Sequence, residues 1–464
     1  MDSDNKLQSN SENSKEESIG YFNSARGSAI MILSRFERSD AYLEKLIDHE
    51  IRAKNFSQLD KSLLYEIVHG VIRWRWKLDY ILTGFYHGDY MKCLNIVKNA
   101  LRLALYQIMF LDKVPDSAAV NESVEIIKKI QGDKIAGIVN AVLRNITRNI
   151  DNIRYPDKDE DVSYHLSVMF SYPRWMVRKW LDRFGHEETE KLLEANNRKP
   201  DITIRLNSMK TDLNEIENEL KKLDVNFQKS IIINQSLRLH LLKRDITTLD
   251  IFKLGKISVQ DESASLAVVL ASPEPGSRVL DICAAPGGKS FFCAEIMGDN
   301  GSITSIDKYS SKVKILEDSI ARLGYKSITA MAGDAAKITF DEKFDLVIAD
   351  VPCSGLGTIA KKPDIKWKRE REDVVNIAKT QRKIIENAAE QVAPNGVLLY
   401  STCTIEPEEN QDVINWFLEN HPEFSLDRAE KYIPVELTKD GFMQTFPHIH
   451  NIDGAFAARL IKSS

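Results

Sequence analysis

A chain of 464 residues with 43% hydrophobic and 28% charged residues has the composition of a globular protein, long enough for two or three domains of roughly 150 residues each. No apolar run nears the ~18 residues that cross a bilayer, and five cysteines without a Cys-x-x-Cys pair argue against a disulfide framework and a thiol-rich zinc site. A net charge of −5 excludes a uniformly basic nucleic-acid binder.

Residues 1–20 carry five acidic and two basic side chains and no apolar core, which reads as a disordered tail and not a secretory leader. From Tyr21 to Ile150 apolar residues recur at three and four, as in Ile30, Leu33, Phe36 and in Leu64, Ile67, Val68, Val71. That spacing predicts a bundle of six or seven helices without strands. The same stretch holds 19 basic against 14 acidic residues, a balance that suits a phosphate-bearing partner and equally an ordinary solvated surface. Residues 151–162, charged and containing Pro156, read as a linker.

Tyr164–Asn196 is again helical, punctuated by Ser171-Tyr172-Pro173. Asp201–Asp250 alternates short β-type runs (ITIRLN, IIIN, LRLHLL) with a helical run at Leu213–Leu223, so residues 163–250 form a small α+β domain. From Gly276 the rhythm is strand, turn, helix, repeated. Apolar runs at Arg278–Ile282, Ser302–Ile306, Phe344–Ala349 and Val397–Tyr400 predict a doubly wound parallel sheet within 251–464.

The first of these strands runs into Cys283-Ala284-Ala285-Pro286-Gly287-Gly288-Lys289 and then a helix. Small residues and two glycines let the backbone approach a ligand at the carboxyl end of the strand. The G-x-G-x-x-G spacing of nicotinamide enzymes is absent, which weakens a dinucleotide reading. Asp307 closes the next strand, twenty residues past Gly287, where a carboxylate can accept both ribose hydroxyls. Asp334 follows a third strand and can accept an adenine amino group. Either aspartate alone could simply cap a helix; together, after such a turn, they favour a nucleoside.

Two further strands end in Asp350-Val-Pro-Cys353-Ser-Gly and Ser401-Thr-Cys403. Active sites of open α/β sheets lie at these ends. A thiolate added to carbon 6 of a cytosine makes carbon 5 an enamine carbon able to attack a methyl sulfonium, which is covalent catalysis by an activated thiol. A second acid–base group then helps expel the thiolate, and Asp350 stands where a carboxylate would draw electrons into the ring. A lone cysteine is more often a small buried hydrophobe; two at neighbouring strand ends point to chemistry, without deciding which one attacks.

The strings LDICAAPGGKS, DLVIADVPCSGLGTIAKKPDIKW and LLYSTCTIEPEEN, in this order, resemble the motifs of the NOL1/NOP2/Sun family of RNA cytosine-5 methyltransferases. Arg205-Leu-Asn207, Gln260–Ser265, Pro447-His448 and Asp453-Gly454 extend the likeness. The resemblance implies Cys403 as the nucleophile, Cys353 as the thiol that assists product release, and S-adenosylmethionine held by the Cys283–Lys289 turn, Asp307, Asp334 and Asp350. Ala455 departs from a usual Phe, for which Phe456 is expected to compensate, and Asn395-Gly396 replaces Gly-Gly. Ala119–Val124 and Ile138–Arg144 resemble the NusB-like helical domain at the front of the bacterial Sun/Fmu (RsmB-type) branch, which methylates 16S rRNA. The implied architecture is multi-domain: an all-α NusB-like domain, a small α+β (RRM-like) domain and an α/β Rossmann-like methyltransferase domain.

Basic residues interleaved with aromatics at Arg73-Trp74-Arg75-Trp76-Lys77, and the cluster Lys361, Lys362, Lys366, Trp367, Lys368 and Arg369, are candidates for phosphate contact and base stacking. One of Trp74 and Trp76 is expected to face the core. The expected partner is 16S rRNA or an early small-subunit assembly intermediate, in the cytoplasm, with no metal, membrane or DNA. Rival readings are another RNA target (tRNA or 23S rRNA), a DNA cytosine-5 methyltransferase with Cys353 as nucleophile, and a non-catalytic NusB-like RNA-binding factor. The last leaves the glycine turn and paired cysteines unexplained.

Overall fold

The structure, a computed structural model, describes residues 23–240, 242 and 245–464. The expected tail, 1–20, lies outside these. The chain divides into two compact units: residues through Leu193 with Lys366–Lys368, and Glu194–Ile365 with Arg369–Ser464.

The first unit is helical: α1 (Ala25–Phe36), α2 (Leu43–Ala53), α3 (Gln58–Phe85), α4 (Asn95–Phe110), α5 (Asp116–Gln131) and α6 (Asp133–Arg148), then α7 (Val162–Phe170) and α8 (Arg174–Asn197), which bends at Gly185 and ends in the second unit. Local chemistry sets the ends. Ser24 and Ser57 cap α1 and α3 by accepting from Gly27 N and Asp60 N, and Gly132, at φ +83°, makes the joint between α5 and α6. Helix α4 is buried on nearly every side. Its Arg102 meets Asp79 through two bonds of 2.6 and 2.7 Å and Glu37 at 2.5 Å, so the charge is paired where water is excluded. The stretch expected as a linker packs on this bundle: Arg154 O accepts from Tyr80, whose ring stacks on Tyr155.

In the second unit a four-stranded antiparallel sheet has the order β2 (Phe227–Lys229), β3 (Ser236–Leu239), β1 (Ile202–Leu206), β4 (Ile257–Val259). Helix α9 (Leu213–Lys222) buries Ile216 and Leu220 against it. The run IIIN forms no strand; Ser230 Oγ instead accepts from Ile232 N and Ile233 N in a turn. Strand β4 lies past residue 250, so the small sheet is completed by the chain beyond the domain boundary expected from sequence.

The larger sheet runs β11 (Thr438–Lys439), β12 (Phe442–Thr445), β13 (Ala455–Lys462), β9 (Val392–Thr402), β8 (Phe344–Asp350), β5 (Arg278–Asp281), β6 (Ser302–Asp307), β7 (Ile328–Ala332), with β10 (Phe424–Asp427) also paired to β13. The strands β7-β6-β5-β8-β9 are parallel. Strand residues alternate between two cores. Val279, Leu346 and Ile348 face α10 (Glu262–Ala271), α11 (Gly288–Ile296) and α12 (Ser310–Leu323), while Leu280, Val347 and Ala349 face α13 (Arg371–Gln391) and α14 (Gln411–Asn420). The same alternation corrects one expectation. Ala455 faces the first core and Phe456 the second, against Phe442 and Tyr400, so Phe456 does not stand in for a residue at 455. Asn395 does take the left-handed conformation, φ +60°, where β9 bulges before pairing Val397 with Leu346.

The family-like residues Arg205 and Asn207 join the two sheets. Arg205 is fully buried, bonded to Gln260 (2.7 Å) and Glu295 beneath the Phe292 ring. Asn207 Nδ2 donates to Gly255 O and Leu323 O.

Candidate active site

From β5 the chain proceeds to β6 and β7 on one side and then returns to β8 and β9 on the other. The crevice at this reversal, outside the carboxyl ends, is where such sheets bind ligands. The Cys283–Lys289 turn occupies it. Gly287 adopts φ +109°, and a Cβ there would come within 2.2 Å of Phe291 and 2.5 Å of Leu316, so only glycine fits. Asp281, missed in the sequence reading, anchors the turn from below: Ser290 donates to it at 2.7 Å, and burial pushes its carboxyl up to about 7. Burial likewise pushes the Cys283 thiol up, which makes it a poor nucleophile.

Asp307 and Asp334 both make the turn contacts that the capping alternative foresaw. Asp307 accepts from Tyr309 N (3.0 Å) and pairs with Lys312 (3.2 Å). Asp334 accepts from Ala336 N (3.1 Å) and Lys308 (3.1 Å), bonds that hold its carboxyl below the usual range. Asp350 accepts from Ser401 Oγ and pairs with Lys289, both at 2.7 Å. Burial opposes the Lys289 charge, yet Asp350 keeps its pKa above the ordinary value. The side chains of Asp334 and Asp350 remain 35% exposed, with acceptor capacity for a ligand's hydroxyl and amino groups. Carboxylates at the ends of β6, β7 and β8 around a small-residue turn suit an adenosyl ligand.

The thiols of Cys353 and Cys403 lie 3.2 Å apart beyond β8 and β9. Cys403 is exposed and Cys353 partly buried. Either sulfur could donate in the hydrogen bond between them, and Cys353 Sγ also accepts from Cys403 N at 3.4 Å. With Cys353 as the thiol donor the bond raises Cys353 well above the usual thiol range and lowers Cys403, with the Lys362 and Lys289 charges acting in the same direction on Cys403.

The expected RNA contacts fare differently. Lys366 is fully buried in the helical unit, where Nζ donates to Arg73 O (2.7 Å) and Ser171 O (2.9 Å) and lies over the Tyr172 ring; burial drives its pKa far down. Trp367 donates to Ile72 O, and Lys368 to Phe36 O and Ser39 O. Arg73 is buried, Arg75 pairs with Glu37 over the Trp367 ring, and Trp74 stacks on Phe110 while Trp76 is exposed. Lys361 bridges Asp261 and Asp453, and Arg369 donates to Ser354 O. Arg75, Lys361, Lys366, Lys368 and Arg369 already have acceptors within the fold; Lys366, with no exposed surface, cannot reach a phosphate. Lys362 remains exposed.

Sequence reasoning gave no role to Gly357, Gln381, Glu409 or Asn410, and named Gly454 only as part of the Asp-Gly likeness. A Cβ at Gly357 would stand 1.9 Å from Gly454 O and 2.9 Å from Cys403 O, so this glycine lets the Asp-Gly segment close on the cysteine's backbone. Glu409 and Asn410 were visible as part of the string after Cys403; Gln381 carried no signal. Among the described residues no cluster of His, Cys, Asp and Glu could hold a metal, and no helix is long and apolar enough to cross a membrane.

A glycine turn at the reversal point of a parallel sheet, acidic strand ends and the antiparallel β13 beside β9 define a Rossmann-like, S-adenosylmethionine-dependent methyltransferase. Family models match over nearly the whole chain: the NusB family at 23–148, the ferredoxin-like domain of RsmF/B-like methyltransferases at 172–242, and the 16S rRNA methyltransferase RsmB/F at 267–461. The chain belongs to the family of ribosomal RNA small subunit methyltransferase B. The probable member of Bacillus subtilis (strain 168) is 37% identical over 447 residues, 95% of this chain and 99% of that one. The probable Synechocystis member is 32% identical over 446 residues, 95% and 100% of the two chains. The crystal structure of PH0851 superposes with a TM-score of 0.80 at 27% identity, covering 94% of this chain and 99% of its own.

Proposed function

We propose that this enzyme methylates carbon 5 of a cytosine in 16S rRNA through a covalent bond between Cys403 and carbon 6. The observation that carries the reading is the thiol pair 3.2 Å apart, with the exposed member, Cys403, made the more acidic. The names of the Bacillus and Synechocystis relatives, probable ribosomal RNA small subunit methyltransferase B, support the substrate.

The Cys283–Lys289 turn, Asp307, Asp334 and Asp350 hold S-adenosylmethionine, which supplies an electrophilic methyl group. Cys403, as thiolate, adds to carbon 6 and moves electron density to carbon 5. The Asp350 carboxylate accepts from the amino edge of the ring and orients it, while Lys289 and Ser401 hold that carboxylate in place. After methylation a base removes the proton on carbon 5, the 5,6 double bond returns and the carbon–sulfur bond breaks. Cys353 remains a thiol and donates its proton in a hydrogen bond to the departing sulfur, stabilising it as thiolate. The target base must leave its stack for any of this to occur.

The test is methyl transfer from labelled S-adenosylmethionine to an unmodified 16S rRNA transcript, followed by nucleoside analysis and mapping. One 5-methylcytidine that disappears with Cys403→Ala is the expected result. Label in tRNA or 23S rRNA instead would replace the substrate. Label that survives Cys403→Ala would overturn the nucleophile.

A further inference from the structure

Each cysteine is followed by a hydroxyl residue, and the two hydroxyls meet: Ser354 Oγ and Thr404 Oγ1 lie 2.8 Å apart. Behind this bridge stands Glu409, fully buried, in the turn between β9 and α14. Its Oε2 accepts the backbone N–H of Ser354 at 2.7 Å and Gln381 Nε2 at 3.1 Å. Gln381 Nε2 also donates to Pro352 O at 3.0 Å, so the residues on both sides of Cys353 are tied to one carboxylate–amide pair.

The Cys403 side is tied to the same turn. Asn410 accepts from Thr402 Oγ1 (2.6 Å) and donates to Thr404 O (3.0 Å), and Tyr400 donates to Glu409 O (2.6 Å). Burying a carboxylate costs free energy unless it is well bonded, and burial raises the Glu409 pKa. A position that merely filled space beside α13 would be served by an apolar residue.

We propose that Glu409 is a positioning residue for the thiol pair: through Ser354 N and the Ser354–Thr404 bridge it sets the distance at which Cys353 donates to Cys403. The assignment rests on the covalent chemistry proposed above for its catalytic meaning, though not for its geometry. Without the carboxylate, the Cys353 loop loses its bond at Ser354 N, the thiols separate, and Cys403 loses the donor that keeps it acidic. Expulsion of the sulfur, where that donor acts, is slowed, and addition is slowed as well by the smaller thiolate fraction near neutral pH.

The experiment uses the full chain and two readouts. Alkylation of Cys403 by iodoacetamide, followed by mass spectrometry of its peptide across pH, reports thiol acidity without RNA. Cys353→Ala should raise the midpoint by about one pH unit, Glu409→Ala should raise it comparably, and Glu409→Gln, whose amide oxygen still accepts Ser354 N–H, should stay near wild type. A residue that only supported the loop would lower the melting temperature and leave the midpoint alone. With 16S rRNA transcript, Glu409→Ala should form the RNA adduct yet release it about tenfold more slowly, seen as protein-bound RNA on denaturing gels.

An unshifted midpoint in folded Glu409→Ala overturns the proposal, as does an unshifted midpoint in Cys353→Ala. Should Glu409→Ala fail to fold, Thr404→Val decides, because it removes the hydroxyl bridge at nearly constant volume: a shift supports the proposal and its absence overturns it. A Cys353→Ala protein, which lacks the donor that expels the sulfur, that forms no RNA adduct while the alkylation shifts hold would sink the covalent reading and leave the positioning role standing.

Discussion

The chemistry at Asp281 and Lys362 can be read one side chain at a time. Asp281 is 1% exposed and its carboxyl is pushed from 3.8 up to about 7, mainly by burial. The folded state therefore holds a proton that the unfolded chain gives up near pH 4, so this group's contribution to stability is present below pH ~4 and is lost as pH rises through about 7. Urea unfolding of Asp281→Asn should show a flatter dependence between pH 5 and 8 than wild type. Lys362 is the exposed member of its cluster, whereas Lys366 is sealed. Lys362→Ala should weaken rRNA binding and reduce the slope of log affinity against log salt by about one. Lys366→Met should leave that slope unchanged. Salt titrations of both variants check the pair.

At the scale of elements, the turns after β5 and β8 work because glycines allow close approach. Gly357 N donates to Cys403 O, and Gly357 O accepts from Gly454 N, a short ladder that places the Asp-Gly segment against the cysteine's backbone. Gly357→Ala should cost ~1–3 kcal/mol of stability by overpacking and cut methylation far more than binding of S-adenosylmethionine, because the cofactor turn lies on other strands. Calorimetry and a cofactor titration on one preparation separate the effects. The strands themselves were legible: Arg278–Asp281, Ser302–Asp307 and Phe344–Asp350 fall almost where apolar runs predicted them. The run IIIN was not, since β-branched residues describe a preference that the Ser230 turn overrode.

For the whole molecule, a ligand that binds only the folded state raises its stability by mass action. S-adenosylmethionine at a hundredfold excess over its dissociation constant should add about 2.7 kcal/mol, measured as a rise in melting temperature. Asp307→Ala should remove most of that rise, beyond a modest drop in the free protein's melting temperature from the lost Tyr309 N and Lys312 contacts. The order of a helical part, a small α+β part and a doubly wound α/β part followed from the periods of the apolar pattern, and the methyltransferase likeness from the three motif strings. Those signals are local, carried by residues a few positions apart, and a sequence displays them directly. That the glycine turn, the acidic strand ends and the two cysteines belong to one crevice was also foreseeable, because parallel strands end on one side of a sheet. Tertiary structure alone decided which charges are spent inside: Lys366 on Arg73 O, Arg75 on Glu37, Lys361 on two aspartates. It alone put Cys353 3.2 Å from Cys403 and Glu409 behind both. These contacts join residues far apart in the chain, and a lysine bound for a phosphate is written with the same letter as one bound for a buried carbonyl.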